Sequence, residues 1–161
     1  MPMPTQTPIG RDLAATAKAL DRAFAAALGQ AGGSLPVWLI LLALKQQRWR
    51  TQQELAAAVG IEGPTLTHHL DGMEAAGLIA RERDPADRRA MRVEMTPAGD
   101  ERFRALRGAA AGFDRRLRAG IGNDEIETLR ALLGRMRDNA GTPEAPATPA
   151  ARGRGRRRDA A

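Results

Sequence analysis

Cysteine and tyrosine are absent from the 161 residues, and the only histidines are the adjacent pair His68 and His69. Without cysteine there is no disulfide framework, no thiol nucleophile or thiol redox sensor, and no thiolate zinc site. Two neighbouring histidines cannot supply an ordinary three- or four-ligand metal site, so neither a metal nor a cofactor is expected. The five aromatic residues, Phe24, Trp38, Trp49, Phe103 and Phe113, are too few for a stacking platform that grips single-stranded nucleic acid. Long apolar runs are missing too. The longest, Leu35–Leu44, has ten residues, and Met1–Pro8 has neither the basic start nor the apolar stretch of a secretion signal. A cytoplasmic protein with no membrane partner is expected. No nucleophile–base set, carboxylate pair or phosphate-binding glycine loop emerges, which argues against an enzyme.

What is present suits one domain with a modest core. Prolines at 2, 4 and 8, without periodicity, predict a disordered leader over 1–9. From Asn139 the composition turns to Gly, Pro, Ala and Thr and then to Arg152, Arg154, Arg156, Arg157 and Arg158, predicting a disordered arginine-rich tail over 139–161. Positions 10–138 read as folded and mostly helical. Leu13, Ala17, Leu20, Phe24 and Ala27 form one stripe of a first helix, about Arg11–Leu28. A second, 35–47, is apolar nearly all round and must be central.

Thr51-Gln52-Gln53-Glu54 matches a capping box ahead of a short third helix that stops at Gly60. Gly63-Pro64 restarts a fourth helix to Ala76, with Leu66, Leu70 and Met73 as its buried face and a glycine stop at Gly77-Leu78. The period then changes to two: Met91, Val93 and Met95 alternate with Arg92 and Glu94, a half-buried strand whose partner fits 78–83 across a turn near 84–89. Thr96-Pro97 opens a long fifth helix, and Asn123 is expected to cap a sixth whose stripe is Ile126, Leu129, Leu132, Leu133 and Met136. The fold class is therefore mainly α with a small two-stranded β wing, a winged helix-turn-helix. Such a unit can lay the second helix of its pair in the major groove of duplex DNA while the hairpin reaches the backbone or minor groove. The same alternation of helices and strands also occurs in protein-interaction domains.

The residues narrow this further. Leu78–Gly99, with Asp87, Arg89, Val93, Thr96 and Gly99 at fixed spacing, resembles the wing of the MarR family of bacterial transcription regulators, and Pro64–Leu78 is similar to that family's recognition helix. The resemblance covers about 10–138. It implies a homodimer built from 10–47 and 100–138, with 48–99 as the DNA reader, bound to a pseudo-palindromic operator with half-sites roughly 34–36 Å apart. The long one-sided stripes of the first, fifth and sixth helices point to dimer burial independently.

Carried over residue by residue, the resemblance places Pro64, Thr65, Thr67 and His68 against bases or phosphates; helix-start hydrogen bonding and ordinary surface is the plainer reading. The family commonly has arginine at positions 68 and 72, where this chain has His68 and Gly72, which weakens the phosphate clamp and brings in a mild pH dependence. His69 is expected to be partly buried beside the wing. Arg88 and Arg89 fall at the wing tip, Arg89 matching the family's minor-groove arginine, with a solvated turn charge as the alternative. Asp87 is expected to shape the wing by pairing with an arginine. Family members are often released from DNA by a small aromatic or phenolic ligand; Trp38 is the candidate wall of such a pocket, or simply core.

The function expected is a sequence-specific duplex-DNA-binding regulator, a repressor released by a small organic ligand. A non-specific architectural DNA-binding protein and a winged-helix protein-interaction module are the competing readings. Net charge does not choose among them: of the +6, half lies in 139–161, and Lys45–Arg92 holds eight basic and seven acidic residues. Truncation after Asp138 is expected to reduce the salt dependence of DNA binding while leaving the preference for one duplex sequence over a scrambled one intact, as gel-shift titrations at two salt concentrations would measure.

Overall fold

The structure, a computed structural model, describes residues 7–46, 51–87 and 90–141. Trp49 and the wing-tip residues Arg88 and Arg89 lie outside the described residues. Among the described residues, six helices and one antiparallel hairpin follow in the order α1 (Ile9–Gln30), α2 (Leu35–Gln46), α3 (Gln52–Val59), α4 (Gly63–Ala75), β1 (Ile79–Arg83), β2 (Met91–Met95), α5 (Pro97–Leu117) and α6 (Asn123–Gly141). The chain divides between Ala119 and Gly120 into two compact units. Among the described residues, no single helix is long and apolar enough to cross a membrane.

In the first unit each element ends where its sequence has a reason to end. Thr51 Oγ1 accepts the Glu54 N–H at 3.1 Å and the Glu54 carboxylate accepts the Thr51 N–H at 3.3 Å, closing the capping box that starts α3. An N-cap of this kind is worth about 1 kcal/mol. α3 terminates at Gly60 in the left-handed region, φ 69°. α4 ends in a similar way: Gly77 takes φ 70°, and the Leu78 N–H turns back to donate to the Met73 carbonyl at 2.9 Å. That reversal seats Leu78 in the core and launches β1 directly from the end of α4.

β1 pairs with β2 from Ile79 opposite Met95 to Arg83 opposite Met91. Val93 is buried and Arg92 and Glu94 are exposed, as the period of two requires. The core gathers Leu28 of α1, Ile40 and Leu41 of α2, Leu55 of α3, Leu66 and Leu70 of α4, and Leu106 of α5, all fully buried. α2 is the element around which the others assemble, because only a helix apolar on most sides can serve several neighbours at once.

Three boundaries differ from the sequence expectation. α1 begins at Ile9, so the last residue of the expected leader is helical. α6 continues to Gly141, taking 139–141 out of the expected tail, so a truncation that keeps the helix whole starts after Gly141. The helix also starts one position earlier than the Asn123 cap implied: Asn123 is already helical, and the N–H of Gly122 donates to the Glu125 carboxylate at 2.7 Å. Within this second unit the apolar stripe is split, with Ile126 buried and Leu129, Leu132 and Met136 exposed.

Gly99, in the first turn of α5, has no room for a side chain. A Cβ there would overlap the Leu78 carbonyl oxygen and approach Met95 Cγ to 2.8 Å. Gly99→Ala is therefore expected to destabilise the first unit by about 1–3 kcal/mol, the usual cost of overpacking, read as a lower urea midpoint.

Candidate nucleic-acid interface

α4 presents two contrasting faces. Leu66, Leu70 and Met73 are buried against the core, whereas Pro64, Thr65, Thr67 and His68 are exposed. Pro64 sits in the first turn, where its missing N–H leaves no bond unmade. The Thr67 hydroxyl donates back to the Gly63 carbonyl at 3.1 Å, within the same helix. The four residues expected from sequence thus share the outward side of one helix, a cylinder narrow enough to enter a major groove.

Electrostatics on that helix are set by one arginine from the neighbouring strand. Arg81 of β1 reaches Asp71 Oδ1 at 2.6 Å and Glu74 Oε2 at 2.6 Å with the same Nη2, and its Nε donates to Glu74 Oε2 at 2.9 Å. Its backbone N–H donates to the other Glu74 oxygen at 3.2 Å. The Arg81 side chain is only 15% exposed, so this clamp is partly shielded from water. The hydrogen bond from Arg81 and its positive charge hold the Glu74 carboxyl below its ordinary value, against desolvation and the nearby Asp71. The clamp pairs both carboxylates of α4 with one guanidinium and ties the helix to the hairpin.

The hairpin approach to the wing tip is ordered by Asp84. Its carboxylate accepts the Ala86 N–H at 2.8 Å and meets Arg92 at 3.4 Å, and both interactions hold its pKa down. The Asp84 N–H donates to the Ala90 carbonyl and the Ala90 N–H to the Asp87 carbonyl, each at 2.9 Å, which brings the two sides of the turn together. Asp84 with Arg92 is thus a carboxylate–arginine pair that shapes this turn. An aspartate two residues before a turn N–H is a frequent shaping device, and that spacing was the available signal.

His69 is half-buried, and its ring lies 5.9 Å from that of His68. Both line a cleft of about 380 Å³ with Val37, Gly72, Met73 and Arg102. Arg102 of α5 donates to the Gly32 carbonyl beside it. Trp38, the expected pocket wall, stacks on Phe103 with ring centroids 5.6 Å apart and planes at 11°. The α2 residue at the cleft is its neighbour Val37. Sequence reasoning missed Arg81, Glu74 and Asp71 as a set, because their seven- and ten-residue separations acquire meaning only when β1 folds back along α4.

Comparison with known proteins is consistent with this arrangement. The sequence model of the MarR family matches residues 34–91, from the start of α2 to the start of β2. The chain is 36% identical to the transcriptional regulator PA3341, over 83% of this chain and 98% of that one, with a TM-score of 0.65. The transcriptional repressor CouR, solved bound to a 23-mer DNA duplex, is 25% identical over 81% of this chain and 92% of its own, with a TM-score of 0.72. Bordetella bronchiseptica BpsR, whose DNA binding is regulated by 6-hydroxynicotinic acid, shares the fold at 22% identity and a TM-score of 0.70, over 86% of this chain and 99% of its own.

Because Glu74 is held below its ordinary value in the folded state, the clamp contributes stability above the usual carboxylate range and loses it as pH falls through the lowered value. Arg81→Met is expected to melt at a lower temperature than the parent at neutral pH, with the gap closing in acid. Thermal melts of both proteins from pH 7 down to about pH 3 would show it.

Proposed function

This chain belongs to the MarR family of transcriptional regulators, and from that premise we propose that it acts as a two-fold dimer on a pseudo-palindromic operator, in the cytoplasm, as a repressor. The observation that carries the reading is the recognition helix itself. α4 is buried on one side, exposed on the other, and fixed to a hairpin that starts at its own C-terminus. Pro64, Thr65, Thr67 and His68 take the base-edge and phosphate contacts of the major groove, and Arg88 and Arg89 take the adjacent minor groove. Asp84, together with Asp87, gives the wing its shape. No catalysis is assigned to the chain.

Dimerisation is supported by apolar surface left open on a single copy. Leu35 and Leu117 of the first unit and Leu129, Leu132 and Met136 of the second are each about two-fifths exposed, more than single scattered surface residues require. Helices from 10–47 and 100–138 supply the contact, and 48–99 supplies the reader.

Release by a small organic ligand is the last part of the proposal. The cleft shared by His68, His69 and Arg102 touches both the recognition helix and α5, so a molecule lodged there bears directly on where α4 sits. An aromatic or phenolic molecule suits a mixed lining in which Val37 and Met73 stand beside Arg102 and Asp71; BpsR, of the same fold, has its DNA binding regulated by 6-hydroxynicotinic acid. Trp38 stacks on Phe103 of α5, the helix that also carries Arg102.

A gel-shift titration on the duplex upstream of the protein's own coding region, against scrambled duplex at two salt concentrations, tests the reading. Preference for the upstream duplex that survives higher salt is expected. Equal, steeply salt-dependent binding to both would indicate an architectural protein, and no duplex binding at all would indicate a protein-interaction module. In the same assay Arg89→Ala is expected to weaken operator binding by about 1–3 kcal/mol with the fold unchanged.

A further inference from the structure

The chemistry left available on α4 limits which bases it can read. Arginine makes up 23 of the 161 residues, yet Gly63–Ala75 contains no arginine and no lysine. Guanine is most often recognised through its O6 and N7 acceptors by the fork of an arginine or the ammonium of a lysine. α4 has neither. Cytosine is recognised through its N4 donor by a free carboxylate. The carboxylates of α4, Asp71 and Glu74, are both bound by Arg81 at 2.6 Å. The Thr67 hydroxyl has given its one hydrogen to the Gly63 carbonyl. Pro64, Thr65, Thr67 and His68 are exposed on the helix beside Asp71 and Glu74, and threonine carries a methyl group as well as a hydroxyl. In the major groove the C5 methyl of thymine is the one apolar group that a base edge offers.

We propose that α4 reads its half-site chiefly by methyl contact, with Thr65 and Thr67 packed on thymine methyls, and that guanine under this helix is not a determinant of recognition. The proposal rests on the DNA-binding reading above and adds the base that is read. Arg81 takes part as a positioning residue: it bonds one oxygen of Asp71 and both oxygens of Glu74, and so ties these carboxylates to β1.

Selection of an operator from a random duplex library by the full chain supplies the substrate for the test. Each thymine of a half-site is then replaced by uracil, which deletes only the methyl group, and each guanine by 7-deazaguanine, which deletes only the N7 acceptor. Uracil at the thymines under α4 is expected to weaken binding about fourfold per methyl, the effect of one buried methylene-sized group. 7-Deazaguanine in the same stretch is expected to leave binding unchanged. Thr65→Ser and Thr67→Ser, which keep the hydroxyl, are expected to lose the same factor on the thymine operator and to bind the thymine and uracil forms equally. Uracil forms that bind as well as thymine forms, or 7-deazaguanine as the costly replacement under α4, would overturn the proposal while leaving the regulator reading intact. A library that yields no preferred sequence would overturn both.

Discussion

Four elements of the first unit meet at a joint of two short segments, Gly77-Leu78 and Thr96–Gly99. The Leu78 N–H closes α4 onto the Met73 carbonyl at 2.9 Å, and the Leu78 carbonyl accepts the Thr96 N–H at 3.1 Å. The Thr96 hydroxyl donates to the Gly77 carbonyl at 2.6 Å and accepts the Gly99 N–H at 3.1 Å, so a single side chain caps α5 and ties it to the end of α4. This works only because Gly99 has no Cβ and lets the first turn of α5 lie against the Leu78 carbonyl. End of recognition helix, start of wing strand, end of wing strand and start of α5 are thereby held by neighbouring hydrogen bonds.

Arg81 adds a second tie of different character. The joint is built from backbone and hydroxyl groups at the core end of α4, whereas Arg81 grips the flank of the helix through charge. The two constraints fix the angle between α4 and the hairpin at two separate points. They also bear on how a reader with nearly balanced charge serves on a polyanion: the acidic groups of α4 are paired with Arg81, and the basic residues expected at the wing tip remain for the phosphates.

Elements that depend on local chemistry were legible in the chain. The Thr51–Glu54 capping box, the Gly60 and Gly77 stops, the Pro64 and Pro97 starts and the period-two strand around Val93 each follow from short-range chemistry or patterning, and each appears where it was expected. The α6 start was misplaced by one residue because Gly122 and Asn123 are both acceptable caps, and only the Glu125 contact distinguishes them. Pairings across the fold were less accessible. Arg81 with Glu74 and Asp71, Asp84 with Arg92, Trp38 with Phe103 and the cleft beside His69 are contacts that charge and spacing alone left with several equivalent partners.

The sequence by itself determined the order and type of the elements, the outward face of α4 and the resemblance of Leu78–Gly99 to a known wing, because periodicity, capping and turn chemistry act over one or two helical turns. Only the tertiary structure decided which groups on that face stay chemically free. Free carboxylates and paired ones look alike in a sequence, and Asp71 and Glu74 become partners of Arg81 only when β1 returns along α4 and brings a guanidinium to 2.6 Å.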